Sequence, residues 1–136
     1  MKINKKEKNT FEYKIKEIVK VIDGDTVDIL IDLGFSVYHE ERVRLSGIDT
    51  PEMNSKNVLE KEMAKKAKTF ITTWLKEQKN LTIKTYKDDK YGRLLGEIFG
   101  NGGVCVNNLL MEKGFAWDYL TDTRDINLLL ELQQPK

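Results

Sequence analysis

The stretch Val21-Ile22-Asp23-Gly24-Asp25-Thr26-Val27-Asp28-Ile29-Leu30-Ile31-Asp32 places an Asp-Gly pair between two runs rich in β-branched residues. That arrangement predicts a β-hairpin. Residues 11–20 alternate apolar and polar side chains over much of their length, which predicts a half-buried strand before the turn. A third strand is predicted over residues 37–45, with Val43 and Leu45 on its buried face. The first third of the chain is therefore expected to form three consecutive strands.

The hydrophobic period changes after Pro51, a residue that is expected to end the ladder. From Val58 to Gln78, apolar residues recur at steps of four, four, three and four, which predicts an amphipathic helix. Its apolar stripe consists of Leu59, Met63, Ala67, Phe70 and Trp74. Two further strands, joined by a polar loop, are predicted at residues 81–86 and 94–99.

Two short helices are expected near the end of the chain. The first runs through Lys113, with Asn107 or Asn108 as its cap and Gly114 as the residue that follows it. The last runs from about Asp125 to Gln133. Five short strands with segregated helices predict an α+β fold, and a small closed barrel is the economical way to remove exposed strand edges.

Length and composition narrow the classes of protein. The 136 residues fit one domain over 1–136, with residues 1–10 as a flexible arm. Cys105 is the only cysteine and His39 the only histidine. These counts exclude a disulfide within the chain and a Cys/His zinc site, and they leave no spare histidine beside a Ser–His–Asp triad. No apolar run approaches a bilayer span and no signal segment is visible. We expect no membrane association and no obligate protein partner; the chain is secreted if a presequence has been removed, and otherwise cytoplasmic.

The net charge of +1 hides an uneven distribution. Residues 21–52 hold eight acids and two arginines, whereas residues 56–90 hold ten lysines and five acids. One interpretation is that both runs are solvated faces. The other is a carboxylate cluster that awaits a cation, beside a basic surface that attracts a polyanion.

Three short segments carry candidate chemistry: Asp23-Gly24-Asp25-Thr26, then Arg44-Leu45-Ser46-Gly47-Ile48-Asp49-Thr50-Pro51-Glu52, then Asp89-Lys90-Tyr91-Gly92-Arg93. Alone, each has an ordinary explanation: a hairpin turn, a helix start and a surface loop. An EF-hand is excluded because Val27 and Ile29 stand where oxygen ligands are required.

Together the segments have a chemical logic. Asp25, Asp49 and Glu52 supply carboxylates, which with a backbone carbonyl at Thr50 form a hard-ligand set suited to Ca²⁺. Arg44 and Arg93 are two guanidiniums that can grip a phosphate from separate directions. A metal, two arginines and one unpaired carboxylate are the parts needed to hydrolyse a phosphodiester.

The ordered set of three segments resembles the staphylococcal (micrococcal, thermostable) nuclease family over residues 11–120. The resemblance implies an OB-type five-stranded barrel with three helices. It implies calcium ligands at Asp25, Asp49 and the Thr50 carbonyl, and a catalytic trio of Arg44, Glu52 and Arg93. Lys90 and Tyr91 match a nucleotide-contacting pair of the family.

The chain departs from the family where two tyrosines, two residues apart, cover the nucleotide. Here the segment Gly114-Phe115-Ala116-Trp117-Asp118-Tyr119 offers Tyr119 as the substrate-contacting residue, with Trp117 either stacking or packing in the core. The stretch after Glu52, residues 53–57, shows no close match to the family's lysine-rich substrate loop.

The first functional hypothesis is a Ca²⁺-dependent nuclease that cleaves DNA and RNA, preferentially single-stranded, to 3′-phosphate and 5′-hydroxyl ends. The alternatives are a non-catalytic nucleic-acid-binding OB module and a Ca²⁺-binding structural domain. The presence of Asp25, Arg44, Asp49, Glu52 and Arg93 together favours the nuclease, because a binding module needs no catalytic set and a structural calcium site needs neither arginine.

Overall fold

The computed structural model describes residues 10–86, 93–121 and 123–134. In these residues five strands close into a barrel and two short strands pair beside it. The strands are β1 (Phe11–Asp23), β2 (Thr26–Asp32), β3 (Tyr38–Leu45), β4 (Ile48–Asp49), β5 (Thr82–Tyr86), β6 (Leu94–Phe99) and β7 (Trp117–Asp118). The helices are α1 (Val58–Glu77), α2 (Val106–Glu112) and α3 (Ile126–Gln133), with a 3₁₀ turn at Asn101–Gly103.

The barrel has the strand order β1-β2-β3-β6-β5, with β5 pairing back to β1. All pairs are antiparallel except β3 with β6, which is parallel. Because the barrel is closed, each of its strands pairs with a neighbour on both sides, which is the physical advantage of this architecture. The predicted α+β class with an OB-type five-stranded barrel and three helices is confirmed.

The hairpin that was predicted from the Asp-Gly pair joins β1 to β2, with Asp23 opposite Thr26. Strand β1 is long enough to pair with both β2 and β5, and its register to β2 shifts at three places. Such bulges bend a strand and increase its twist. The bent β1 therefore closes the barrel, and its end carries the turn that holds Asp25.

The core fills the barrel with branched side chains and is closed by α1 and α2. Its buried members are Val27, Ile29, Ile31, Val43, Leu45, Ile48, Ile71, Leu75, Ile83, Ile98, Val106, Leu110 and Ala116. A smaller cluster of Met63, Trp117 and Leu129 joins α1, β7 and α3. Val43 and Leu45 are buried as predicted.

The stripe predicted for α1 is only partly correct. Met63 and Ala67 are buried, but Leu59 is 40% exposed and the partly buried Phe70 flanks the contact. The buried line continues instead through Ile71 and Leu75. The buried residues of α1 therefore follow steps of four. The predicted step of three from Ala67 to Phe70 turned the stripe away from this line, so Phe70 and Trp74 lie at the edge of the buried face.

Asn107 does not cap α2, and neither does Asn108. The helix begins at Val106, and its cap residue Cys105 makes no side-chain capping bond. The buried Asn107 amide instead donates to the carbonyls of Ser46 (2.9 Å) and Gly96 (3.0 Å) and accepts from the N–H of Ile98 (3.3 Å). These three hydrogen bonds satisfy the buried amide and tie α2 to the barrel, which outweighs capping.

Gly114 agrees with the prediction, and α3 lies within the predicted span. Gly114 follows α2 with a φ of 80°, a conformation that favours glycine. Asp125 caps α3 by accepting from the N–H of Asn127 (2.9 Å). No helix in the described parts of the chain is both long and apolar enough to cross a bilayer. The flexible arm predicted at residues 1–10 lies outside the described residues except for Thr10.

Candidate active site

One cleft collects residues from five separate parts of the chain. It has a volume of about 630 Å³ and lies where the β1–β2 turn, the ends of β3 and β4, the start of β6 and the segment after β7 meet. The lining includes Asp23, Asp25, Thr26, Arg44, Asp49, Thr50, Pro51, Glu52, Met53, Asn54, Arg93 and Tyr119. The structure therefore brings together every predicted site residue that it describes.

Arg44 is the buried cation of the cleft, with only 8% of its surface exposed. Its Nη1 donates to the Leu45 carbonyl (2.7 Å) and its Nη2 to the Ile48 carbonyl (2.9 Å). The same Nη2 lies 3.3 Å from a carboxylate oxygen of Asp25 and 3.3 Å from one of Asp49. One guanidinium thus brings two carboxylates together and offsets part of their mutual repulsion.

Asp25 is fixed from several directions. Its Oδ1 accepts from the Thr26 hydroxyl (3.1 Å) and its Oδ2 from the Thr50 N–H (3.1 Å). Burial alone would raise the pKa of Asp25, but a hydrogen bond from Asp23, the charge of Arg44 and the Thr50 N–H lower that pKa below its ordinary value. Asp25 is therefore an anion at neutral pH.

Asp23 was not predicted as a site residue, although it stands in the first motif. Burial, together with the hydrogen bond to Asp25 and the charge of that carboxylate, raises the pKa of Asp23 to about 7. Two carboxyl groups that share a low-dielectric space separate their pKa values in this way. Near neutral pH the two carboxyl groups therefore share one proton, which resides mainly on Asp23.

Asp49 has a second arginine partner, which the sequence did not indicate. Nε of Arg124 donates to the Asp49 Oδ2 (2.9 Å), while the guanidinium lies over the Trp117 ring (5.9 Å) and binds the Tyr119 carbonyl (3.2 Å). Seventy-five positions separate Arg124 from Asp49 along the chain. No local pattern signals such a contact, because only the β4–β7 pairing creates it.

Glu52 differs from the two aspartates. It is exposed, and among the described residues its carboxylate has no hydrogen-bond or ion-pair partner. The Glu52 backbone is held, because its N–H donates to the Glu60 carboxylate (3.1 Å) at the start of α1. A positioned carboxylate with open lone pairs is suited to accept a proton from water.

The remaining predicted residues lie at the rim. Arg93 is exposed just before β6, and Tyr119 is 61% exposed after β7; both line the cleft. Trp117, by contrast, is buried against Met63 and Leu129 and donates its Nε1–H to the Asp125 carbonyl (3.0 Å). Trp117 is a core residue, which leaves Tyr119 as the aromatic of the cleft. Lys90 and Tyr91 lie outside the described residues.

The donor chemistry at Asp25 and Asp49 fits a hard cation. Within the described ranges no three His, Cys, Asp or Glu side chains are grouped as a metal site. Two carboxylates do converge on Arg44, and Asp25 holds the Thr50 backbone by its N–H. Carboxylate and backbone carbonyl oxygens are the ligands that Ca²⁺ takes, and each Asp49 carboxylate oxygen accepts one described contact and so keeps a lone pair.

Comparison with known proteins gives consistent results. A protein from Escherichia coli O157:H7 named "Uncharacterized endonuclease" is 32% identical over 102 residues, which cover 75% of this chain and 59% of that protein. The Staphylococcal-like nuclease CAN1 of Arabidopsis thaliana is 39% identical over 79 residues, 58% of this chain and 22% of its own. Endonuclease YhcR of Bacillus subtilis (strain 168) is 32% identical over 107 residues, 74% and 8% respectively.

The chain spans less than two thirds of the length of each of these relatives. The profile of the family described as "Staphylococcal nuclease homologue" matches residues 42–135, which include the end of β3, all of α1 and the cleft residues from Arg44 onward. That range is well over half of the chain, and the resemblance seen in the three motifs is confirmed. The chain belongs to the staphylococcal nuclease homologue family.

Proposed function

We propose that this chain is a Ca²⁺-dependent phosphodiesterase that hydrolyses DNA and RNA, with single strands preferred. The observation that carries the proposal is the meeting of Asp25, Arg44, Asp49, Glu52 and Arg93 in one cleft, from segments far apart in the chain. The family and the relatives named as endonucleases support it. A module that only bound nucleic acid would have no use for an exposed, unpaired carboxylate among these groups.

Glu52 is the general base in this proposal. Its carboxylate is unpaired among the described residues, whereas Asp25 and Asp49 are both engaged by Arg44. A base must hold its proton-accepting lone pair open toward the attacking water, and Glu52 is the cleft carboxylate that does so. Its backbone bond to Glu60 fixes the segment that aims it.

Arg44 and Arg93 bind the phosphoryl group and stabilise the charge that develops on it. Arg44 donates to two backbone carbonyls and the Asp49 carboxylate through Nη1 and Nη2 and forms an ion pair with Asp25, and its Nε–H has no partner among the described residues. Arg93 lines the same cleft from a separate segment, directly before β6. Donors that are already fixed cost no reorganisation when charge develops.

Ca²⁺ would be held by Asp25, Asp49 and the Thr50 carbonyl. Bound there, the ion would supply positive charge to the phosphoryl oxygens. Asp25 and Asp49 are separate from Glu52 in their contacts, so binding of the cation and removal of the proton fall to different carboxylates. Tyr119 offers an exposed ring on which a base can stack.

The remaining specifics follow the family pattern. We propose that Lys90 and Tyr91 contact the nucleotide from the loop before Arg93. We also propose products with 3′-phosphate and 5′-hydroxyl ends. End-labelling of the products with and without prior phosphatase treatment tests the polarity of cleavage.

The direct test is incubation of the purified chain with labelled single-stranded DNA or RNA in Ca²⁺, in Mg²⁺ and in a chelator. Cleavage in Ca²⁺ that stops in chelator supports the proposal. Binding without cleavage under all three conditions would contradict it and would identify a non-catalytic module instead.

A further inference from the structure

A second groove lies between β1 and α1 and shares no lining residue with the cleft. Its volume is about 380 Å³. Its lining consists of Ile18, Val19, Lys20 and Val21 from β1 and Lys68, Thr72, Leu75 and Lys76 from α1. We call it the lysine groove.

The sequence forms the groove by two local features. The register of β1 to β2 shifts between Ile18 and Lys20, so Val19 is an extra residue that the ladder leaves unpaired and 44% exposed. On α1 the four lining residues stand at steps of four, three and one, which places them on one face of the helix. An apolar floor is thereby flanked by lysines from both elements.

The charge of the groove has one sign. Lys20, Lys68 and Lys76 line it, and no carboxylate is among its described lining residues. Lys20 stands opposite Asp28 in the ladder, but the Asp28 carboxylate already accepts two bonds from Arg42, at 2.8 and 3.1 Å. Three ammonium groups on long flexible stems are thus able to meet an external anion.

The groove adjoins the cleft at two places. Val21 lines the groove and Asp23 lines the cleft, and at about 3.3 Å per strand residue they are separated by about 7 Å. A Cβ added at Gly24 would lie 2.9 Å from the Ala67 side chain, so α1 packs directly on the turn that holds Asp25. Lys68, the next residue on α1, lines the groove.

We propose that the lysine groove is a second subsite for single-stranded nucleic acid, which holds the part of the strand that extends beyond the cleft. The proposal rests on the proposed function for the identity of the polyanion. The three lysines neutralise consecutive phosphates, and Val19 and Ile18 offer apolar surface to the base faces. A strand is favoured over a separate anionic partner because the groove has one sign of charge and because Val21 of the groove stands only two residues from Asp23 of the cleft.

The test compares strands of two lengths. In the Glu52→Gln background, which is expected to slow cleavage, the variant Lys20→Gln/Lys68→Gln/Lys76→Gln is titrated with fluorescent oligothymidylates of about three and about twelve nucleotides at several salt concentrations. We expect the slope of log K against log salt for the long strand to become less steep by about 2, or about 0.7 per lost phosphate contact. Affinity for the short strand stays unchanged.

The matched control is Lys14→Gln/Lys84→Gln/Lys113→Gln, which removes the same charge outside the groove and leaves the slope within about 0.7 of the parent. Equal slopes for the groove and control variants would overturn the subsite. Equal loss for both strand lengths would also overturn it, because the lysines would then act on the cleft itself.

A single change provides an independent check if the triple variant folds poorly. Val19→Glu places a carboxylate on the groove floor at a residue that the ladder leaves unpaired, and it is expected to weaken only the long strand. A poly-glutamate peptide that competes as well as the long strand at equal charge would identify a peptide site and overturn the proposal. If the parent chain fails to cleave but keeps length-dependent binding through these lysines, the subsite stands and the hydrolase proposal falls.

Discussion

At the scale of single side chains, Arg44 joins two carboxylates of the cleft to two backbone carbonyls beneath it. Its place between Asp25 and Asp49 makes it part of the folded framework as well as of the proposed phosphate site. Arg93 is exposed at the rim of the cleft, where it belongs to the proposed phosphate site. The two arginines are therefore expected to respond differently to the same change.

Arg44→Lys is expected to lower both activity and stability, whereas Arg93→Lys lowers mainly activity. A lysine cannot reproduce a planar fork, so each variant loses roughly 10² or more in cleavage rate. Only Arg44→Lys removes hydrogen bonds to the buried Leu45 and Ile48 carbonyls, at a cost of about 1–3 kcal/mol in the free energy of unfolding. Rate assays and urea titrations measure the two effects. Wild-type cleavage by both variants would show that charge alone suffices.

Cys105 gives a pH-dependent prediction at the same scale. Burial, and a Glu97 carboxylate oxygen 3.7 Å from its Sγ, raise the pKa of this half-buried thiol. A raised folded-state pKa favours the neutral form, so its contribution to stability is fully present below the ordinary thiol pKa of about 8.5 and is lost as pH rises from there through the raised folded-state pKa. Iodoacetamide should label the folded chain at pH 8 more slowly than the urea-unfolded chain. Equal rates would contradict the shift.

At the scale of secondary-structure elements, β4 and β7 connect the catalytic segment to the end of the chain. Asp49 stands opposite Trp117 in that short ladder, and Arg124 binds Asp49 while it covers the Trp117 ring. The Trp117 indole in turn bonds to Asp125, which caps α3. The last helix thus supports a carboxylate of the cleft through three successive contacts.

Asn107 also connects distant elements, because it links α2 to β6 and to the segment after β3. Replacement by alanine would leave the Ile98 N–H and the carbonyls of Ser46 and Gly96 without this partner. We expect Asn107→Ala to cost about 2 kcal/mol or more in the free energy of unfolding. The exposed neighbour gives a matched control, because Asn108→Ala should change it by less than about 0.5 kcal/mol. Similar values for the two variants in urea titrations would refute the linking role.

Local signals predicted the elements well, and contacts between distant residues explain what was missed. The Asp-Gly turn, Gly114 and Asp125 act through their own neighbours, so their roles are visible in sequence. Asn107 and Arg124 act on groups 61 and 75 positions away, which no window of sequence reveals. The cleft residues were identified by motif and resemblance, whereas their pairing with Arg44 required the fold.

At the scale of the whole molecule, folding separates the charges that alternate along the chain. Carboxylates of the acidic block line the cleft, and lysines of α1 and β1 line the adjoining groove. A strand of nucleic acid that crossed both would meet a cation at the cleft carboxylates and ammonium groups beyond them. We therefore interpret the uneven distribution of charge along the sequence as two surface regions that bind the same polyanion.

Calcium is expected to raise the melting temperature, because the unfolded chain cannot reproduce the arrangement of Asp25, Asp49 and Thr50. At a hundredfold excess over the dissociation constant the gain is about 2.7 kcal/mol. Mg²⁺ should act weakly, since it demands a compact octahedral shell and dehydrates reluctantly. Melts of the parent chain, Asp25→Asn and Asp49→Asn measure this. A calcium shift that persisted unchanged in both variants would place the ion elsewhere.

Glu52 is proposed to take a proton from water in phosphodiester hydrolysis. Single-turnover cleavage of single-stranded DNA by the Glu52→Gln variant measures this role directly. The change keeps the shape of the side chain and removes its basicity. The exposed Glu62 on α1 provides the control, Glu62→Gln, and circular dichroism verifies the fold of both. We expect Glu52→Gln to cleave about 10²- to 10⁴-fold more slowly than the parent chain and Glu62→Gln to cleave at the parent rate. A folded Glu52→Gln variant that retains the parent rate would contradict it.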